Sequence, residues 1–184
     1  MSPIQLETDY LDNFSGIVGH LDTDYWRLSF SDPDAIAEFK TTNMLSFEIL
    51  LGDLPQGHVE AKIHSVAVAL IGATSPSGLS SCQVKHGSVY GQTKSDGKRQ
   101  TQILRAHTQT IQCPHTALEL SGVSPGTLGD PLEEPLLSPL WGHGLAGQWT
   151  LTLPDTEVAA TGTNTAGLTE IQVWVSYEFL SPVG

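Results

Sequence analysis

Basic residues are scarce in this 184-residue chain: eight Lys and Arg stand against twenty Asp and Glu, a formal charge of −12. Nucleic acids are bound by neutralising phosphates with cationic side chains, and anionic membranes recruit proteins by the same attraction, so neither is an expected partner. Long apolar runs are also missing. The longest, Val66–Ile71, falls far short of the roughly 20 residues a membrane span requires. Cysteine is limited to Cys82 and Cys113, too few for a disulfide framework. The opening Met-Ser-Pro-Ile-Gln-Leu-Glu-Thr-Asp-Tyr has neither a basic nor an apolar region, so no cleaved secretory signal is expected. That leaves a cytoplasmic protein, one exported without a cleaved signal, or a piece of a longer chain. Catalytic signatures are lacking too. Gly122-Val123-Ser124-Pro125-Gly126 spells Gly-x-Ser-x-Gly but lies in a glycine- and proline-rich loop, not at a strand-to-helix elbow, and the chain has no phosphate loop feeding a helix.

What the chain does have is strand periodicity. Pro139–Pro154 is a glycine-rich loop that opens into Trp149, Leu151 and Leu153, which alternate with Thr150 and Thr152. Proline at 154 has no N–H for the ladder and ends the strand. Ile171, Val173, Val175, Tyr177 and Phe179 alternate with polar positions and Trp174 over a longer stretch. Tyr25–Ser31 and Leu45–Ile49 read as shorter strands of the same kind. Val59–Ala73 is apolar on both faces, as in a strand at the centre of a sheet or one whose outer face is covered by another element. Ser80–Gly91 and Arg99–Ile111 read as two strands joined by the turn Ser95-Asp96-Gly97. They carry most of the basic residues: Lys85, Lys94, Lys98, Arg99 and Arg105. A further short strand is expected over 113–120. Helix is confined to one or two turns after Asp32-Pro33-Asp34, an N-cap followed by proline at the first helical position.

These elements predict one all-β domain over 1–184: an antiparallel, jelly-roll-like β-sandwich of about eight strands with little helix. Residues 1–24 read as a loosely attached acidic arm. Ser121–Ala146, about 26 residues, is longer than most connections, and its leucines predict an ordered loop packed along the sandwich.

Side chains with chemical potential are few. Cys82-x3-His86 and Cys113-x-His115 would need adjacent strands to surround a zinc ion, and the spacing is not that of a zinc knuckle. Unconnected cysteines are the expectation, with no metal and no cofactor. His143, between glycines, has no sequence signature of a catalytic triad. Gly142-His143-Gly144-Leu145-Ala146-Gly147 spells Gly-x-Gly-x-x-Gly but precedes a strand. Trp26 and Trp149 fall on apolar faces and are expected in the core. Trp141 in the loop and Trp174 on the polar face of the last strand are candidates for stacking on a sugar or anchoring a protein.

The order of short motifs is similar to the C-terminal β-sandwich of the A component of bacterial Tc insecticidal toxin complexes. The residues carrying the resemblance are Asp53-Leu54-Pro55, Lys62-Ile63-His64-Ser65-Val66, Pro139-Leu140-Trp141-Gly142, Trp149–Pro154 and Leu168–Tyr177. The family usually has Phe-Glu where this chain has Leu140-Trp141, and the first 40 residues have no counterpart. The resemblance implies a domain without enzymatic activity that docks the B–C cocoon onto the translocation channel. The expected function is therefore protein docking, with another toxin subunit as partner and contacts through Trp141, His143 and Trp174. The alternative is a carbohydrate-binding module that stacks a glycan on an exposed tryptophan.

Overall fold

The perfect alternation of Ile171–Phe179 becomes the middle strand of a sheet. In a computed structural model, residues 19–94, 97–103, 105–118, 140, 142–155, 158–159 and 162–182 are described. Among them the elements run β1 (Gly19–Phe30), α1 (Pro33–Thr42), β2 (Met44–Ile49), a 3-10 turn (Leu51–Asp53), β3 (Val59–Ile71), β4 (Leu79–Thr93), β5 (Arg99–Ile103), β6 (His107–Pro114), β7 (Ala146–Thr152) and β8 (Glu170–Pro182). Two antiparallel sheets form. One has the order β1-β8-β3; the other has β2-β7-β4-β5, with β6 also paired to β4. This is an all-β sandwich.

The core lies between the sheets. Ile171, Val173, Val175, Tyr177 and Phe179 are at most 5% exposed, and they meet Trp149, Leu151, Val84, Cys82 and Ile111 from the other sheet. Burying a large apolar side chain contributes about 1.5–3 kcal/mol, so the period-2 pattern fixes which face turns inward.

The described strands sharpen the sequence expectation at three places. Of the acidic arm, residues 19–24 are the first half of β1, paired from Gly19↔Pro182 to Asp24↔Tyr177; residues 1–18 lie outside the described set. The strand expected over 113–120 ends at Pro114, the last residue of β6, where the missing N–H stops the ladder. Leu118 instead crosses toward the outer face of the first sheet, its N–H donating to Gln172 Oε1 at 2.9 Å. β3 is buried on both faces, yet it terminates its sheet's hydrogen-bonding order. Its outward Ala67 and Ala69 are 3% and 0% exposed. The long loop is described only at Leu140 and from Gly142 onward.

The helix after Asp32 is longer than one or two turns. Asp32 Oδ2 accepts the Ala35 N–H at 3.1 Å, Pro33 takes the first turn, and Asn43 closes the helix at φ 55°. Ile36 and Phe39 are its buried residues. Asp32→Ala is expected to lower stability by about 1 kcal/mol in urea unfolding, the usual cost of losing an N-cap acceptor.

Candidate functional site

The glycine-rich loop is a corner that joins the two sheets. The Gly142 N–H donates to the Ile63 carbonyl (2.8 Å), the Ile63 N–H to the His143 carbonyl (2.8 Å), and the Leu145 N–H to the Ala61 carbonyl (3.2 Å). The segment thus lies along the outer edge of β3 before it enters β7 in the opposite sheet. Leu140 and Leu145 are fully buried on either side of this turn. Trp149 anchors its end. The indole Nε1–H donates to the Leu145 carbonyl at 3.2 Å. Its ring stacks on Phe47 at 6.1 Å and meets the edge of His86 at 4.5 Å.

Three imidazoles gather beside Trp149. His86 and His107 are directly opposite on β4 and β6, and His143 packs edge-on against His107 (4.9 Å) and His86 (6.1 Å). Burial holds His86 down to about 4, opposed by its hydrogen bond to the Gly87 carbonyl and aided by His143. Burial, then the neighbouring His107, lowers His143 as well. Burial thus favours the uncharged form of both, and backbone groups of Gly87, Leu145 and Gly144 also bond the His86 ring. Gly147 makes the space. At φ 151° its position has no room for a Cβ, which would lie 2.9 Å from the Val89 carbonyl oxygen and 3.2 Å from the His86 ring.

Of the sequence-nominated contact residues, His143 and Trp174 stand on different elements, the corner and β8. His143 is 8% exposed, because the corner folds it inward, so its side chain offers a partner almost nothing. Trp174 is half-buried on the outward face of β8. The Arg27 guanidinium lies 4.8 Å over its ring, and Tyr25 sits at 6.4 Å. Trp141 lies outside the described residues.

Cys82 and Cys113 are buried free thiols on the inner face of neighbouring strands, Cys82 opposite Ile111 and Cys113 opposite Ser80. Contact with Cys82 and burial push the Cys113 thiol well up. His115 sits apart, with Nε2 at 2.9 Å from Ser80 Oγ. Among the described residues, no group of three or more His, Cys, Asp or Glu is arranged to hold a metal.

A surface that sequence reasoning missed lies on the outward face of the second sheet. Val89 and Ile103 are a cross-strand pair on β4 and β5, 50% and 77% exposed, and Leu50 is 51% exposed. Beside them runs a groove of about 320 Å³ with Gly91, Ala146 and Gly147 among its small residues. Its walls include Leu50, Leu51, Val89 and Thr101, with Glu48 and Arg99 also lining it. The signal was available: counting in twos from the inward Val84 and His86 puts Val89 on the outward face of Lys85.

By sequence, no protein-family model and no characterised relative matches the chain. The fold is similar to part of Morganella morganii TcdA4, solved by cryo-EM, with a TM-score of 0.51 and 15% identity. The match covers 96% of this chain and 8% of TcdA4. At that identity the likeness concerns the fold alone.

Proposed function

We propose that the chain is a non-enzymatic β-sandwich that docks another protein within a toxin-like complex. The observation that carries this reading is the fold likeness of nearly the whole chain to a part of TcdA4, a Tc toxin A component. The motifs behind the family resemblance fall on fold-determining places, which adds support. Lys62–Val66 is the stretch of β3 along which the corner lies, Trp149 anchors β7, and Asp53-Leu54-Pro55 leaves the 3-10 turn. The match spans 8% of TcdA4, so the docking role is proposed for this piece alone. The glycan alternative has less behind it. Arg27 already lies over the Trp174 ring, where a sugar would have to stack, and an exposed cation–π contact of this kind is worth about 0.5–1 kcal/mol.

Biolayer interferometry against an immobilised Tc B-type component tests the reading. Saturable binding that persists in Trp174→Ala is expected. No binding to that component, together with glycan-array signals abolished by Trp174→Ala or Trp141→Ala, would replace docking with the lectin reading.

A further inference from the structure

We infer that the outer edge of β5 takes up an extended segment of a protein partner, apolar through its middle and acidic at one end. This deepens the docking reading and rests on it. β5 pairs with β4 alone among the described residues, so its far edge carries backbone donors and acceptors suited to one more strand. Arg99, Thr101 and Ile103 share a face of β5, and Thr101 and Ile103 pair with Gly91 and Val89. A strand added there would lay alternate side chains on the same face, against Arg99, Thr101 and Ile103, with the small-residue groove on the other side of β5.

Edge strands in soluble proteins are ordinarily blunted by charge to prevent uncontrolled pairing, and Arg99 alone would fit that purpose. Ile103 does not. An isoleucine 77% exposed on an edge strand, next to a half-exposed Val89, is what such protection removes and what a cognate strand covers.

Charge selects the occupant. From Leu79 to Pro114 the chain carries Lys85, Lys94, Lys98, Arg99 and Arg105, with Asp96 as the one acidic residue, in a protein of net charge −12. Lys98 and Arg99 are exposed where β5 begins, and Lys94 reaches Glu60 at 4.0 Å across the same end. Glu48 lines the groove as well, so the attraction for acid is concentrated at the hairpin-turn end and not along the groove. A second copy fits poorly. Two molecules of charge −12 repel, and two-fold antiparallel pairing of two β5 edges would set Arg99 opposite Ile103, leaving both basic ends without an acidic partner.

The probe is a synthetic peptide alternating valine and threonine and ending in a run of glutamates, compared with the same peptide ending in lysines. NMR titration of the intact chain should show saturable shifts at the Arg99–Ile103 amides. The glutamate peptide should bind at least about tenfold tighter than the lysine peptide, and added salt should narrow that gap. Ile103→Glu and Arg99→Glu, both at exposed positions, should each weaken the glutamate peptide by about tenfold or more while circular dichroism stays unchanged. Equal affinity for the two peptides, shifts elsewhere, or no binding overturns the inference. So does concentration-dependent self-association abolished by Ile103→Glu, because the occupant is then a second copy. A Tc B-type component that binds wild type and Ile103→Glu equally leaves the docking role standing and removes this edge from it. Peptide binding at the edge without capture of that component sinks the toxin-complex reading and keeps the edge.

Discussion

Trp149→Ala is expected to cost about 3–5 kcal/mol, the range for emptying a large aromatic from a packed core. Urea unfolding followed by circular dichroism measures it. The indole is 1% exposed, and three contacts depend on it: the parallel stack on Phe47, the edge of His86 and the bond to the Leu145 carbonyl. Truncation leaves a cavity at the point where the corner passes from one sheet to the other. It also removes the donor from a buried carbonyl, which costs more than an exposed bond would. Trp149→Phe separates the two effects: it keeps most of the packing and should lose only about 1 kcal/mol through the missing donor. Trp174→Ala should cost clearly less than Trp149→Ala, because that ring is half-exposed and its principal partner is one guanidinium. Equal losses at 149 and 174 would mean that the corner is not anchored by its tryptophan.

Much of the sandwich was legible because its inner faces obey a period of two. β7 and β8 follow directly from Trp149–Leu153 and Ile171–Phe179, and α1 follows from Asp32-Pro33. The unread parts share a physical cause. The first half of β1, with Asp22, Thr23 and Asp24, has no apolar face. It is a strand because β8 offers backbone partners as far as Pro182, and side-chain pattern does not report backbone pairing. The composition of β3 fits a central strand or one covered on its outer face, since Ala67 and Ala69 are as buried as Val66 and Val68. Among the described residues it is the last strand of its sheet, with the corner along its edge and its outward face buried, which is the second arrangement. Burial is encoded in the residues; the covering element is not.

The candidate sites were legible to a smaller degree. His143 stood out for its flanking glycines, but His86 and His107 did not, and only the β4–β6 register places those two side by side. The basic hairpin was visible as a charge anomaly. What it lacked in the sequence was the apolar half: Val89 and Ile103 look like ordinary strand residues until their pairing and the groove beside them are known.

The stability of the fold should fall as the solution is acidified from about pH 6.5 to about 4, with His86 as a principal cause. An unfolded histidine titrates near 6.5, whereas burial holds His86 to about 4 in the folded state. Above 6.5 neither state binds the proton, and the stability is intact. Between the two values the unfolded chain takes up a proton that the folded chain refuses, so unfolding becomes easier as pH drops. The loss levels off once the folded state also protonates. The displacement corresponds to something on the order of 3 kcal/mol for His86, and His143, lowered for the same reason, acts in the same direction. The groups facing His86 reinforce this: His107 across the strand pair and His143 from the corner are both bases, and Trp149 brings no counter-charge. His86→Phe keeps a ring against Trp149 and cannot titrate. Losing the bond to the Gly87 carbonyl changes its absolute stability at neutral pH, so the decisive quantity is the slope. Urea unfolding across this pH range should give a clearly shallower decline for His86→Phe than for wild type. Parallel curves would place the acid sensitivity elsewhere and remove the imidazole cluster as its source.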